Sequence, residues 1–197
     1  LQETVIWHFN PDECDTIRGA GKGNAYMEFN HLYRFHNIIP DEFLYSREER
    51  KITLQEISHG SELFTNYTLQ EHFNAFINTR TGAFGSNNEP YFFRNVTANT
   101  IRDERDFGMV SFNDYLELHG FHKIKTFNDL TSDTDAIKVL NELYDSVDDL
   151  DFYVGIMLQN QQPDHLLPEL LVTMIAEHAF LFLHGNAGQC SVDPFYF

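Results

Sequence analysis

The stretch Glu28-Phe-Asn-His-Leu-Tyr-Arg-Phe-His36 sets a tyrosine, Tyr33, three residues before a histidine, His36. Apolar residues recur around this pair at helical spacing, so we predict a helix with Asn24 as its N-cap and Pro40 as its stop. Residues three apart share a helical face, which would direct the phenol and the imidazole into the same space. An imidazole can bind a haem iron, and a phenol beside that haem can be oxidised to a radical. Taken alone, such a pair is more often part of an aromatic core.

The composition favours one folded core rich in aromatic rings. A chain of 197 residues is long enough for one hydrophobic core, and its 19 phenylalanines are many. These rings suit a wall around a flat cofactor or an acyl chain, and they equally suit a core packed without a ligand. The formal net charge of −17 argues against nucleic acid, whose phosphates need basic side chains, and against anionic lipid surfaces.

Few features of the sequence relate to cellular location. Cys14 and Cys190 form no metal or redox motif, and they could pair with each other, pair elsewhere or stay reduced. The sequons Asn66-Tyr-Thr68 and Asn95-Val-Thr97 permit glycosylation of a secreted chain, which slightly favours the endomembrane lumen or the extracellular space. The chain starts at Leu1 with neither an initiator methionine nor a signal peptide, so we expect a piece of something longer.

Helical periodicity dominates the rest of the chain, and no series of alternating strands stands out. We therefore predict a mainly α fold and treat residues 1–197 as a single fragment without a linker or repeat. The predicted helices cover Leu54–Gly60, Leu69–Thr79, a segment from Ser111 or Asn113 to Gly120, Asp133–Asp145 and Pro168–Gly185. The side chains expected to face the core in the second of these are Leu69, Phe73, Phe76 and Ile77. Charged residues interrupt the apolar stretch Leu166–Leu183, which indicates a buried helix and not a membrane span.

Four stretches, in order, resemble the animal haem peroxidase superfamily, and within it the cyclooxygenase and fatty-acid dioxygenase branch. They are residues 23–41, similar to the proximal haem helix; residues 78–90, similar to the turn before the next family helix; residues 105–115, similar to an Arg-Asp-x-Gly and Tyr-Asn segment; and residues 143–155, similar to a superfamily signature. The Leu-Tyr-x-x-His core of the first stretch is specific to the branch that oxygenates fatty acids. The resemblance implies that the chain is the C-terminal part of a helical catalytic domain.

The resemblance implies a role for each matching residue. His36 would be the proximal ligand of haem b, and Tyr33 would be the tyrosine that forms a radical. Phe29 and Leu32 match positions that line the acyl channel of cyclooxygenases. Ala179 falls where cyclooxygenases carry the serine that aspirin acetylates, so this chain would offer aspirin no hydroxyl there.

The sequence departs from the family pattern in several places. Family peroxidases place an asparagine before the Arg-Asp segment, where it accepts a hydrogen bond from the proximal histidine and tunes the iron. In this chain Thr100 stands at that position, with Asn99 beside it. A second departure is Phe35, which replaces a tryptophan of the cyclooxygenases. Nothing before residue 24 resembles the segment that carries the distal histidine. A second chain or an upstream segment would have to supply that side of the haem.

The resemblance implies haem-dependent oxygenation of a fatty acid with associated peroxidase activity. Peroxide would oxidise the haem, the haem would oxidise Tyr33, and the tyrosyl radical would take a hydrogen from a fatty acid to which O₂ then adds. Two alternatives stay open. The chain could be a plain haem peroxidase in which Tyr33 is passive, or a non-catalytic relative that kept the fold as a binding or assembly module.

Other metal sites have less support in the sequence. Two histidine pairs lack both the spacing of a helical metal site and a third ligand, namely His119 with His122 and His178 with His184. The acidic run from Asp145 to Asp151 lacks the central glycine and terminal glutamate of a calcium loop, and we interpret it as a helix start or a solvated face.

Overall fold

The computed structural model describes residues 26–45, 50–60, 65–85 and 88–185, with the backbone alone described for residues 180–185. The chain divides into two compact units, Leu1–Arg34 with Leu167–Phe197 and Phe35–Leu166. The predictions for Cys14, Asn24 and Cys190 fall outside the described residues. The assignment of residues 1–197 to one domain fragment stays a prediction.

Helices make up most of the described chain, which confirms the mainly α prediction. In chain order they include α1 (Met27–Leu32), α2 (Leu54–His59), α3 (Leu69–Asn78), α4 (Arg94–Phe107), α5 (Phe112–Leu118), α6 (Phe127–Leu130), α7 (Thr134–Leu143), α8 (Phe152–Leu158) and α9 (Glu169–Gly185). Turns of 3₁₀ helix cover His36–Ile38, Tyr91–Phe93 and Val147–Asp149, and two strands are β1 (Glu42–Tyr45) and β2 (Arg50–Thr53). Within the described part of the chain, no helix is long and apolar enough to span a bilayer.

In the first unit, the long helix α9 packs against the short helix α1. Pro168 immediately precedes α9, and its carbonyl accepts the N–H of Val172 at 3.0 Å, which confirms the predicted start of this helix. The most deeply buried apolar side chains here are Leu32, Leu170, Leu171 and Met174. The buried ring of His178 meets the ring of Tyr26 edge-on, with centroids 5.8 Å apart.

Helix α1 is shorter than predicted, because it ends at Leu32 before reaching Tyr33 and His36. Two side chains bond to carbonyls of this short helix: Nδ1 of His31 lies 3.1 Å from the oxygen of Met27 at its start, and Nε of Arg34 donates to the oxygen of Asn30 in its last turn at 2.8 Å. The side chain of Arg34 thus satisfies a carbonyl that the backbone of a longer helix would bond. The prediction of one helix from Asn24 through His36 is therefore wrong.

The second unit contains a β-hairpin that the sequence did not indicate. β1 pairs antiparallel with β2, with Phe43 opposite Ile52. Each strand has only four residues, which is too short for a clear alternating pattern. Burial of Phe43, Tyr45 and Ile52 against α3 provides the stability that the isolated hairpin would lack.

The predicted helix starts in the second unit are confirmed by their capping residues. Thr53 and Glu56 form a capping box at α2, and Thr68 and Glu71 form another at α3. Ser111 caps α5 through its side chain, as one of the two predicted candidates. Asp133 caps α7 in the same way, accepting the N–H groups of the two residues after Thr134.

Helix α3 buries a different face from the one predicted. Leu69, Phe73 and Ile77 are 72%, 53% and 76% exposed, whereas His72 and Ala75 are buried. The hydroxyl of Tyr45 lies 2.6 Å from Nδ1 of His72, and the small Ala75 lets the helix approach the hairpin closely. This contact with the hairpin sets the rotation of α3, and hydrophobicity counted along the helix could not reveal it.

Candidate functional site

His36 begins a 3₁₀ turn whose backbone is held by a neighbouring segment. The N–H of Gly82 donates to the carbonyl of Ile38 at 2.9 Å. A Cβ added at Gly82 would lie 2.7 Å from the carbonyl oxygen of Asn37, so only glycine permits this approach. The Asn78–Pro90 stretch that resembles the family therefore serves here to hold the His36 turn.

The imidazole of His36 lies against an aromatic ring. It stacks on Phe93, with centroids 4.5 Å apart and ring planes at 18°. The residue is half-buried as a whole, and its Nδ1 atom is buried. Because Nδ1 is buried, Nε2 is the ring nitrogen left to bind iron. The residues present thus fit a haem ligand at His36.

Tyr33 lies beyond the end of α1, in a non-helical conformation with φ −102° and ψ 19°. Its ring packs at a tilt against Phe29, with centroids 4.6 Å apart, and 39% of the residue is exposed. His36 belongs to the next element, so the premise that the two side chains share a helical face is wrong. The roles inferred for both residues from the family resemblance stay predictions.

The predicted channel residues differ in their exposure. Leu32 is completely buried, whereas Phe29 and Ala179 are half-buried. Phe29 and Leu32 belong to α1, and Ala179 belongs to α9, which packs on that helix. The first unit therefore brings these helices together, and the lining of an acyl channel by the three side chains stays a prediction.

Thr100 and Asn99, which occupy the place of the family's asparagine, form hydrogen bonds within their own helix, α4. The Thr100 hydroxyl, which is fully buried, donates to the carbonyl of Val96 at 2.9 Å. The Oδ1 atom of Asn99 accepts a hydrogen bond from Arg102 at 3.0 Å. Neither bond reproduces the contact to a proximal histidine that the family pattern implies.

The third and fourth family-like stretches meet at an ion pair. The guanidinium of Arg105 donates to both carboxylate oxygens of Asp151, with Nε 2.9 Å from Oδ1. The Tyr144 hydroxyl donates to the same carboxylate at 2.6 Å. Burial and this hydrogen bond raise the pKa of Tyr144. The cluster fastens the C-terminal end of α4 to the start of α8, and Gly108 ends α4 in a left-handed conformation, with φ 69°.

The acidic run and the Tyr-Asn segment also have structural contacts. Asn113 is buried and donates to the carbonyl of Ile124 at 3.0 Å and to Asp148 at 2.7 Å. Its Oδ1 accepts the N–H of Ile124 at 2.9 Å. Asp148 and Asp151 thus bond to protein groups. Among the described residues, no group of three or more His, Cys, Asp or Glu side chains is placed to hold a metal ion.

Sequence reasoning missed Glu104, a buried carboxyl group beside this cluster. Glu104 is 2% exposed, and its Oε2 accepts the backbone N–H of Tyr153 at 2.9 Å. Burial raises the pKa of Glu104 to about 7, the hydrogen bond from Tyr153 opposes this rise, and the charge of Asp151 adds to it. The only signal in the sequence is that Glu104 lies one helical turn after Thr100, on the buried face of α4.

The raised pKa of Glu104 predicts a pH-dependent stability. Between pH 4.5 and pH 7, the folded protein holds a proton at Glu104 that the unfolded chain has released. The contribution of this group to the free energy of unfolding is therefore fully present below pH 4.5 and is lost as the pH rises through 7. At 1.36 kcal/mol per pKa unit, the loss is about 3 kcal/mol from pH 4.5 to pH 8.

Chemical denaturation of Glu104→Gln across this pH range measures the effect. Because glutamine has no proton to release, the unfolding free energy of the variant should gain about 3 kcal/mol relative to wild type from acid to alkaline pH. The exposed Glu142→Gln is the matched control and should follow the wild-type pH dependence. Parallel curves for wild type and Glu104→Gln would contradict the prediction.

Comparisons with known proteins bear on the whole chain. The family model described as animal haem peroxidase matches residues 22–185. Prostaglandin G/H synthase 1 of Rattus norvegicus is 30% identical over 179 residues, which are 90% of this chain and 29% of that protein. The chain thus spans less than a third of the length of this curated relative.

Solved structures of similar fold include plant and amoebal proteins. The fatty acid alpha-dioxygenase of Oryza sativa has a TM-score of 0.74 at 21% identity, covering 84% of this chain and 32% of that one. Peroxidase A of Dictyostelium discoideum has a TM-score of 0.72 at 18% identity, covering 89% of this chain and 37% of that one. These structural similarities confirm the fold, and the match to the family model identifies the family. The chain belongs to the animal haem peroxidase family.

Proposed function

We propose that this chain provides the proximal side of a haem b site and the radical tyrosine of a fatty-acid dioxygenase with associated peroxidase activity. The observation that carries the proposal is the setting of His36. Its half-buried imidazole stacks on Phe93 at the start of a turn, with Nδ1 buried, in a family whose members bind haem. A single imidazole of this kind is a usual proximal ligand.

His36 and Phe93 would hold the cofactor from one side, with Nε2 of His36 as the iron ligand. When bound, the haem supplies the one-electron oxidising equivalent that it takes from peroxide. Gly82 keeps the turn that carries His36 in place through its hydrogen bond to Ile38. The distal side of the haem would come from an upstream segment or a second chain.

Tyr33 would perform the hydrogen transfer. Its phenol gives up one proton and one electron, and the resulting phenoxyl radical takes a hydrogen atom from a C–H bond of the fatty acid. The O–H bond of Tyr33 is thereby restored, and O₂ adds to the carbon radical. Phe29, Leu32 and Ala179 would line the path of the acyl chain, because apolar side chains position such a substrate and exclude water. The names of the similar synthases and dioxygenases support this substrate class.

A plain haem peroxidase is the second candidate function. The position of Tyr33 favours it, because this residue lies outside α1 and is 39% exposed. In that case Tyr33 would be passive, and the protein would oxidise small reductants without oxygenating a lipid. A non-catalytic module is favoured by Thr100, whose hydroxyl donates to Val96 and so does not reproduce the family's contact to the proximal histidine.

Haem retention by His36→Ala tests the proposed ligand directly. The purified wild-type protein loaded with haem should show a Soret band, and the variant should lose it on gel filtration, because the substitution removes the proposed iron ligand. The exposed His122→Ala serves as control and should keep the wild-type spectrum.

The same spectra separate the alternatives. A wild-type protein that stays colourless after haem addition would favour the non-catalytic module. An unchanged Soret band in His36→Ala would refute the assignment of the proximal ligand. Both interpretations require that the protein measured is folded, as judged by circular dichroism.

A further inference from the structure

A cavity of about 210 Å³ lies in the second unit beside the His36 turn. Its wall is mostly apolar, formed by residues that include Ile101, Val154, Met157 and Leu158. Polar side chains also line it, namely Tyr153 and the three on which the argument rests, Asn37, Glu89 and Thr97. At roughly 30 Å³ per water molecule, the cavity has room for about seven water molecules, so its size suits a small ligand.

Each of the three polar side chains has a buried oxygen without a hydrogen-bond partner in the described part of the chain: Oδ1 of Asn37, Oε1 of Glu89 and Oγ1 of Thr97. Asn37 as a whole is 3% exposed. Its amide nitrogen is directed to the carbonyl of Gly85 at 3.5 Å and to the sulfur of Met157 at 3.6 Å, which identifies the unpartnered end as the oxygen. A buried hydrogen-bond acceptor without a donor destabilises the folded state, and a ligand that donates a hydrogen bond to it would remove this cost.

We propose that the Asn37–Glu89–Thr97 cavity binds a small organic cation with a primary ammonium group and a short apolar tail. The three oxygens equal in number the three donors of an ammonium group, and Glu89 supplies the opposite charge. The apolar wall receives the hydrocarbon tail. The formal net charge of −17 favours the approach of cations to this protein.

Other occupants match the lining less well. An anion would meet the carboxylate of Glu89, and a neutral hydrocarbon would leave three oxygens without donors. A metal ion would find one carboxylate and a largely apolar wall, where hard cations prefer a shell of oxygens. Ordered water would satisfy the oxygens and would leave the apolar wall without a role.

Titration of the full chain with n-alkylammonium chlorides, followed by calorimetry and amide NMR shifts, tests the proposal. Methyl-, propyl- and hexylammonium should bind saturably, with affinity rising roughly fourfold per methylene until the cavity is full. 1-Propanol, propionate and potassium chloride are the matched neutral, anionic and inorganic probes, and each should bind far more weakly than propylammonium.

Two variants locate the binding. Glu89→Gln keeps the shape of the side chain and should weaken propylammonium binding by about tenfold or more, and Thr97→Val should weaken it by about fivefold. Glu142→Gln, on the exposed face of α7, should leave it unchanged. Because Thr97→Val removes only a hydroxyl, it stays informative if Glu89→Gln fails to fold.

Three results would overturn the proposal. The first is an equal response to propylammonium and 1-propanol, which would indicate a hydrophobic cavity. The second is binding of potassium as tight as that of propylammonium, which would indicate an inorganic cation site. The third is the absence of saturable binding, or binding that both variants leave unchanged, which would indicate water in the cavity or a site elsewhere. None of these outcomes depends on the haem proposal, which is tested by His36→Ala.

Discussion

Replacing Tyr33 with phenylalanine should reduce fatty-acid oxygenation to background while haem binding and peroxidase turnover persist. Phenylalanine keeps the ring that packs on Phe29 at 4.6 Å but has no O–H bond from which to form a radical. Because Tyr33 is 39% exposed, the loss of its hydroxyl should change the free energy of unfolding by no more than about 0.5 kcal/mol. The activity loss is therefore chemical and not structural.

The measurement is O₂ uptake with palmitate, linoleate or arachidonate on the haem-loaded protein, in parallel with peroxidase turnover of an aromatic reductant. Tyr26→Phe is the matched control, because Tyr26 lies at the start of α1, is 52% exposed and should retain both activities after substitution. Unchanged oxygenation in Tyr33→Phe would refute the role of Tyr33 as the radical residue, whereas peroxidase turnover without any oxygenation in the wild type would establish the plain peroxidase. Loss of both activities would show that Tyr33 acts through the haem site itself.

Substitution of Gly155 by alanine should cause the largest loss of stability from a single added methyl group. The new Cβ would overlap the ring and Cβ of Phe112, which is completely buried and has no space to turn into. Overpacking of this kind costs about 3 kcal/mol at the upper end of its range, whereas the gain in helix propensity from glycine to alanine is about 1 kcal/mol. We therefore expect a net loss of about 2 kcal/mol in the free energy of unfolding.

A double-mutant cycle checks the cause. Phe112→Ala should itself destabilise the protein, but in its background Gly155→Ala should cost clearly less than in the wild type, because Cγ and the ring of Phe112, which lie nearest the new Cβ, are then absent. Chemical denaturation of the four proteins gives the coupling energy. If the losses of unfolding free energy from the two substitutions are additive, α5 and α8 move apart and residues 112 and 155 do not clash.

The local parts of the fold could be predicted from the sequence because their determinants lie within one helical turn. The capping threonines Thr53 and Thr68 each act on a glutamate three residues later. Ser111, one of the two predicted caps, bonds to the N–H of Asp114. The family resemblance, which rests on short motifs of the same kind, is confirmed by the match over residues 22–185.

The candidate site could be predicted only in part. His36 is placed as a ligand could be, in a turn held by Gly82. The shared helix with Tyr33 was wrong, because α1 ends at Leu32, where the side chain of Arg34 bonds to the carbonyl of Asn30. Helical periodicity counts apolar positions and does not detect such side-chain bonds.

Sequence alone determined the helices α2, α3, α5, α7 and α9, where each of them begins, and the family to which the chain belongs, whereas α4, α6 and α8 were not predicted. Tertiary structure alone decided which face of α3 is buried, that Glu104 lies in the interior, and that Arg105 meets Asp151 across 46 residues. The difference has one physical reason. A helix start depends on hydrogen bonds between near neighbours in the chain, whereas burial and the pKa of a carboxyl group depend on partners that only the packed chain brings together.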